Sequence, residues 1–412
     1  MAALTIVLLV VAVAGAVSRP LRLPAWAVPL AATAVALTAG AISVGSARRA
    51  LEPLGPAVGF LLAAVPLTVM LERLGFFSSL AAILAQRGAG AGALWVLGAL
   101  VTTVFNLDAG VVLLTPLYIG FARHRGLDPF ALAAQPVLLA CLASSALPVS
   151  NLTNLIAQSE TGATGAAFLT HLGLPSLAAC AAGWWCYRRA LPGALGPSGP
   201  SSGARGPSGP LPGVLGSDVG ARRALSLGGL VVVVVLVGFT AGPVVGLQPW
   251  MVAVGADAAL VAVVRGVPWR DVPVGTAVVA GSLGVLASAA VGHLPVHQLV
   301  GGTSLAALAR TAGVTALAAN AFNNLPALLV SVPAVGPHPG PALWAVLIGV
   351  NMGPVLLVTG SLASLLWLDA VGRLGLEVRA RDFTLIGVRI GLPAAVAGAA
   401  VEIGLRALGL GG

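Results

Sequence analysis

The chain has 412 residues, of which 58% are hydrophobic and 8% charged, with a mean hydropathy of +1.02. A soluble domain of this length must turn polar surface to water, so this composition excludes a water-soluble globular enzyme and makes lipid the solvent. Its 21 basic residues, all arginine, exceed 12 acidic ones by nine, but they stand singly or in pairs between apolar runs without interleaved aromatics, which excludes a nucleic-acid groove.

A helix needs ~20 apolar residues to cross the hydrocarbon core. On that measure spans one to three cover about 2–17, 24–46 and 54–72. The first run lacks a basic leading region, so it reads as a retained span and not as a signal peptide. The mixed segment 73–90 is expected to run along the interface. An apolar stretch at 91–122 follows, broken midway by Phe105-Asn106-Leu107-Asp108-Ala109-Gly110. Span four, 129–157, is interrupted by Pro148-Val149-Ser150-Asn151-Leu152-Thr153-Asn154, and span five is 163–187. Residues 190–222 are rich in Gly, Pro and Ser, contain two GPSGP copies, and read as a flexible linker.

The second half repeats the order. Spans cover about 224–241, 248–265 and 272–291. The stretch 298–334 is broken by Asn320-Ala321-Phe322-Asn323-Asn324. The long span 341–369 is interrupted at Asn351-Met352-Gly353-Pro354 and Thr359-Gly360-Ser361, and a last span covers 383–409. The fold expected is therefore an all-α membrane protein made of two repeats, 1–189 and 223–412. If each broken stretch is a re-entrant hairpin, each half crosses five times and the second is inverted, the architecture of many secondary transporters. Arginine placement suits an outside N-terminus: 16 of 21 then fall on inside loops or the central linker, which becomes cytoplasmic, and both termini lie outside. Two full crossings in place of each hairpin would give the same count. The polar tips favour re-entrance, because such clusters at mid-depth need a protein-lined cavity.

Four polar breaks are the candidate binding residues: Asn106 with Asp108; Ser150, Asn151, Thr153 and Asn154; Asn320, Asn323 and Asn324; and Asn351 with Thr359, Gly360 and Ser361. Amides and hydroxyls can coordinate a cation or hydrogen-bond a polyol-like solute. Pro148, Pro326 and Pro354 free backbone groups and turn half-helix ends toward a ligand. Asp108, an intramembrane carboxylate, is either the proton-coupling group or the cap of the half-helix that follows. Asp257, mid-span and two turns before Arg265, is expected to make a structural contact in preference to serving as a proton site, while Asp369 and Glu402 are expected to reach headgroups or water. Arg310 falls near the outer face without a firm role. Cys141, Cys180 and Cys186 read as small buried hydrophobes, and His293, His297 and His338 lack metal-ligand spacing.

The stretches LDAGVVLLTP (107–116), LPVSNLTNLI (147–156), NNLPA (323–327) and GVNMGPVLLVTGSLASLLWL (349–368) resemble the signature stretches of the arsenite efflux permeases of the ArsB type. Those permeases share a superfamily with divalent-anion/sodium symporters and sodium/proton antiporters. The similarity runs in order over nearly the whole chain. It implies an elevator-type fold whose hairpins and broken spans bind trivalent arsenic or antimony hydroxide, exported at the expense of the proton gradient. It further implies an inner-membrane location, no cofactor, and as partners a second copy of the chain or an arsenite-stimulated ATPase. Members of that family commonly carry an acidic residue where Asn351 stands and a lysine where Val355 stands. A neutral hydroxide needs donors and acceptors, which the four breaks supply without Arg or Lys. The alternatives are sodium-coupled symport of a dicarboxylate or sulfate, and sodium/proton exchange.

Overall fold

The computed structural model describes residues 2–86, 90–196 and 218–409, and among these every regular element is helical. Most of the expected linker lies outside the described residues. The first half comprises α1 (Ala2–Ser18), α2 (Ala27–Thr38), α3 (Val44–Leu51), α4 (Gly55–Arg73) and α5 (Phe76–Gln86). It continues through α6 (Ala91–Phe105), α7 (Leu107–Arg125), α8 (Pro129–Leu142), α9 (Leu152–Thr161) and α10 (Gly165–Ala190). The second half has α11 (Asp218–Ala241), α12 (Pro249–Val264), α13 (Val274–Val291), α14 (Val296–Leu299) and α15 (Leu305–Phe322). It ends with α16 (Asn324–Val335), α17 (Pro341–Met352), α18 (Leu362–Arg373), α19 (Ala380–Ile386) and α20 (Leu392–Ala407).

Among the described residues six helical stretches are long and apolar enough to cross a membrane, including 55–73, 165–190 and 380–407, and shorter apolar helices fill in between. One of the six is α15, so the first arm of the second hairpin is itself of spanning length. The expected second span, 24–46, is shorter than read. Gly40 takes a left-handed φ of 67° just after α2, and the chain resumes as amphipathic α3, whose N-terminus Ser43 caps by accepting from the Ser46 N–H at 3.1 Å. The segment 73–90 is largely helical, as α5. Glu72 fixes its start by accepting from the backbone and hydroxyl of Ser78.

Packing repeats between the halves. The arms α6 and α7 pack on α8 as α15 and α16 pack on α17, and α7 lies on α18 as α16 lies on α9. Outside this unit, α4 packs on α12 and α2 on α13, while α10 and α20 form the most extensive helix pair. That last pair is close because Gly398 faces the Pro175 carbonyl and Ala179, leaving no room for a Cβ. The final span is bent by a π-helical turn at Gly387–Gly391, where Gly387 rests against the Val355 backbone. The last helix is thereby pressed onto the second polar break.

Candidate functional site

Each hairpin turns on an asparagine. Asn106 and Asn323 have φ of 122° and 79°, a region L-residues seldom occupy and asparagine tolerates best after glycine. Each caps the next helix through its own side chain: Asn106 Oδ1 accepts from the Asp108 N–H at 2.8 Å, and Asn323 Oδ1 from the Leu325 N–H at 3.3 Å. Asp108 is therefore not the cap. Its Oδ1 and the Asn106 Nδ2 are both buried without a hydrogen-bond partner.

The interrupted spans reopen in one way. Leu147 and Leu357 are extended, a 3₁₀ turn follows at Pro148–Ser150 and Val358–Gly360, and an extended residue then caps the next helix. Asn151 Oδ1 accepts from the Thr153 N–H at 3.1 Å, and Ser361 Oγ from the Ser364 N–H at 3.2 Å. At Gly360 a Cβ would stand 2.9 Å from the Pro354 carbonyl oxygen, so the two parts of the second break pack backbone on backbone.

Asn351 brings the two halves together. Its Oδ1 accepts from Asn151 Nδ2 at 3.1 Å and from Thr153 Oγ1 at 2.6 Å, and its Nδ2 donates to Asn154 Oδ1 at 2.7 Å. All four side chains are at most 2% exposed. Asn154 Nδ2 in turn faces the carbonyls of Ser144 and Leu147 at 3.0 and 2.9 Å, and Ser150 Oγ donates to the Ser144 carbonyl at 2.7 Å. In such a network a low dielectric makes any unpaired member costly. Its buried orphan is Ser145 Oγ.

Asn320 does the corresponding work at the second break. Its Nδ2 donates to the Ala316 and Gly353 carbonyls at 2.9 and 2.8 Å, and its Oδ1 accepts from the Leu356 and Leu357 N–H groups at 3.2 and 3.0 Å. Its carbonyl accepts from Thr359 Oγ1 at 3.0 Å, and Asn323 Nδ2 donates to the Thr359 carbonyl at 3.2 Å. The backbone groups freed around Pro354 are thus re-satisfied by one amide. Asn324 lies at the start of α16, 8% exposed.

Two sequence expectations about charge are corrected, those for Asp257 and Glu402. Asp257 finds no partner in Arg265: its Oδ1 is buried and unpartnered, while Arg265 sits past the end of α12 in a left-handed turn. Asp369 is 40% exposed, as expected, and pairs with Arg19 at 2.9 Å, tying α18 to the end of α1. Glu402 is 3% exposed and pairs with Arg406 at 2.9 Å. Arg310 is exposed on α15. Among the described residues no group of three or more His, Cys, Asp or Glu could hold a metal ion.

Sequence reasoning missed Thr103, Ser144 and Gln135. Thr103 Oγ1 donates to the Ala143 carbonyl at 2.9 Å, in the place Asn320 takes against Gly353. The signal was a common spacing: Thr103 precedes Asn106 by three residues as Asn320 precedes Asn323. Gln135 Nε2 ties α8 to the start of α6 through the Ala91 carbonyl at 3.0 Å, and nothing in its apolar sequence context announced it.

The comparisons with known proteins agree with this architecture. Arsenical pump membrane proteins of Yersinia enterocolitica and Escherichia coli are 27% and 25% identical to the chain, over 89% of it and 90% of each relative. The crystal structure of the Alcanivorax borkumensis YdaH transporter, reported to have an unusual topology, superposes with a TM-score of 0.56 at 18% identity, covering 89% of this chain and 87% of that one. At that identity it speaks for the fold. The relatives bear out the resemblance carried by the four motifs, and the chain is a multi-pass membrane transporter. A family model described as citrate transporter matches residues 6–349, from the first helix through both hairpins and into α17, so the chain belongs to the citrate transporter (CitMHS) family.

Proposed function

We propose that this transporter exports trivalent arsenite or antimonite from the cytoplasm in exchange for protons. The observation that carries the reading is the chemistry of the crossing: Asn351 of the second half meets Asn151, Thr153 and Asn154 of the first, with Ser144 beside them and no arginine or lysine among them. As(OH)3 is uncharged near neutrality, and such a lining matches its hydroxyls as donors and acceptors. The arsenical pump membrane proteins to which the chain is similar support the same cargo.

Within this reading the candidate residues divide into two roles. Asn151, Asn154, Asn320, Asn323 and Asn351 spend their amides on the architecture. The unpartnered Asn106 Nδ2 and Ser145 hydroxyl, with Asn324 and Ser361, offer groups to the solute, and Ser150, Thr153, Thr359 and Gly360 shape the walls. Asp108, beside the orphaned Asn106 amide, takes the proton. The units 91–157 and 298–369 move together against a scaffold of the remaining spans, in two inverted repeats joined by a cytoplasmic linker at 190–222. Both termini lie outside the inner membrane. A second copy and an arsenite-stimulated ATPase are the expected partners.

A second reading, sodium-coupled symport of a di- or tricarboxylate, is favoured by one observation. Helices α7, α9, α16 and α18 all begin at the four breaks, and helix N-termini attract anions. Everted vesicles energised by respiration separate the two. Arsenite accumulation that collapses with a protonophore is the expected result. Absence of arsenite accumulation together with sodium-stimulated citrate flux would replace export with symport.

A further inference from the structure

A second group of ionisable side chains lies well away from the crossing, on the seam of α10, α20 and α17. Arg406 Nε donates to Glu402 Oε1 at 2.9 Å, with the two side chains 10% and 4% exposed. The same guanidinium reaches His171 Nδ1 through Nη2 at 3.2 Å. The imidazole stacks on Trp344, with centroids 4.5 Å apart and planes 28° apart, and Phe168 meets the same indole edge-on at 5.3 Å. Trp344 is 2% exposed and lies on α17, two turns before Asn351.

The donor inventory sets the protonation state. A guanidinium has no acceptor, so His171 Nδ1 must present a lone pair to Arg406, and the neutral ring carries its hydrogen on Nε2. In that state the trio is neutral overall. A proton added at Nδ1 would abolish the hydrogen bond and set two cations against each other. Glu402 contains the answer to that conflict: its Oε2 is buried and has no partner. A carboxylate with one oxygen on Arg406 and the other unpartnered has room for a second cationic donor. The neutral trio runs His171–Arg406–Glu402. The protonated trio would run Arg406–Glu402–His171, with the carboxylate between the cations. To make that exchange the ring has to leave its present stack on Trp344.

The other charges near this seam are few. Arg389 in the π turn and Arg310 on α15 are both exposed, and Arg188 and Arg189 stand at the far end of α10. Of the elements packed against α10, α6 and α17 carry no ionisable side chain, and α8 carries the buried thiol of Cys141.

We propose that His171, Arg406 and Glu402 form a proton-binding site separate from the crossing, and that its occupancy changes the contact of α10 and α20 with α17. The site stands whether arsenite or an anion is the cargo, so failure of the transport reading leaves it intact. The test uses the full chain with His171 as its sole histidine, through H124Q, H293Q, H297Q and H338Q, labelled with 15N in the imidazole. Between about pH 8 and pH 5 the ring is expected to pass from the Nε2–H neutral tautomer to the doubly protonated form. E402Q should lower that midpoint by about one unit, because the carboxylate that receives the second cation is gone. The emission of Trp344, taken as the difference from a W344F variant, should change with the same midpoint. A neutral ring protonated on Nδ1, no titration in this range, or a midpoint unmoved by E402Q would overturn the site. Constant Trp344 emission through the imidazole titration would overturn its link to α17.

Discussion

In the first half the hairpin turns at Asn106 and the span reopens at Asn151; in the second it turns at Asn323 and reopens at Ser361. The backbone is the same in both: positive φ at each tip, extended residues at each opening, and a side-chain cap on each following helix. The side chains are not. Two residues past the tip, the first half has Asp108 and the second Leu325. Ten residues before the opening, the first half has Cys141 and the second Asn351. Shared backbone thus builds two similar frames, and polar chemistry is divided unequally between them: the carboxylate belongs to one, the crossing amide to the other. On the proposed export reading, alternating exposure would need only matched frames, and coupling to a proton would need one carboxylate in a defined place.

That division can be tested where it should matter most. D108N is expected to lower protonophore-sensitive accumulation by about tenfold, a typical coupling energy between linked sites. Moving the charge to the other tip, as D108N with L325D, should not restore it and should cost roughly 3 kcal/mol for a carboxylate placed in the membrane interior. Restored coupling in the double variant would mean that the tips are interchangeable. Next in size is the crossing itself. N351A orphans the Thr153 hydroxyl and the Asn154 carbonyl oxygen and takes one of two bonds from the Asn151 amide, so thermal unfolding in detergent should show a loss of about 3 kcal/mol. C141A, which removes only a small apolar side chain, should cost about 1 kcal/mol. Equal losses would remove the asymmetry. The smallest effect is expected at T103V, about 1 kcal/mol for a single bond to the Ala143 carbonyl. A loss as large as that of N320A would show that threonine carries the first frame as fully as asparagine carries the second.

Much of the frame was legible because its signals are local. Asparagine at a tip, proline next to a polar run and a left-handed glycine act over one turn of chain, and they marked both hairpins and both interruptions within a few residues. The second span was overread at 24–46 because hydropathy continues past Gly40, where the backbone turns. The charges were the least legible part. Asp257 lies two turns from Arg265 along one helix, yet the helix ends and swings the arginine away. Glu402 has its partner one turn on at Arg406, but its burial comes from α10, more than 200 residues earlier in sequence.

The amino-acid sequence by itself determined that the chain lives in lipid and that its helices stop at Asn106, Asn151, Asn323 and Ser361. Those properties follow from composition and from residues whose preferred φ and missing donors act on their immediate neighbours. The tertiary structure alone decided which broken ends meet. Asn351 finds Asn151, Thr153 and Asn154 across some 200 residues, and Asn320 closes the break around Pro354. Both depend on helices brought side by side in a medium where every freed backbone or amide group must find a protein partner. The same packing decided that some of the polar residues serve the architecture and left others with unspent hydrogen-bonding groups facing the interior.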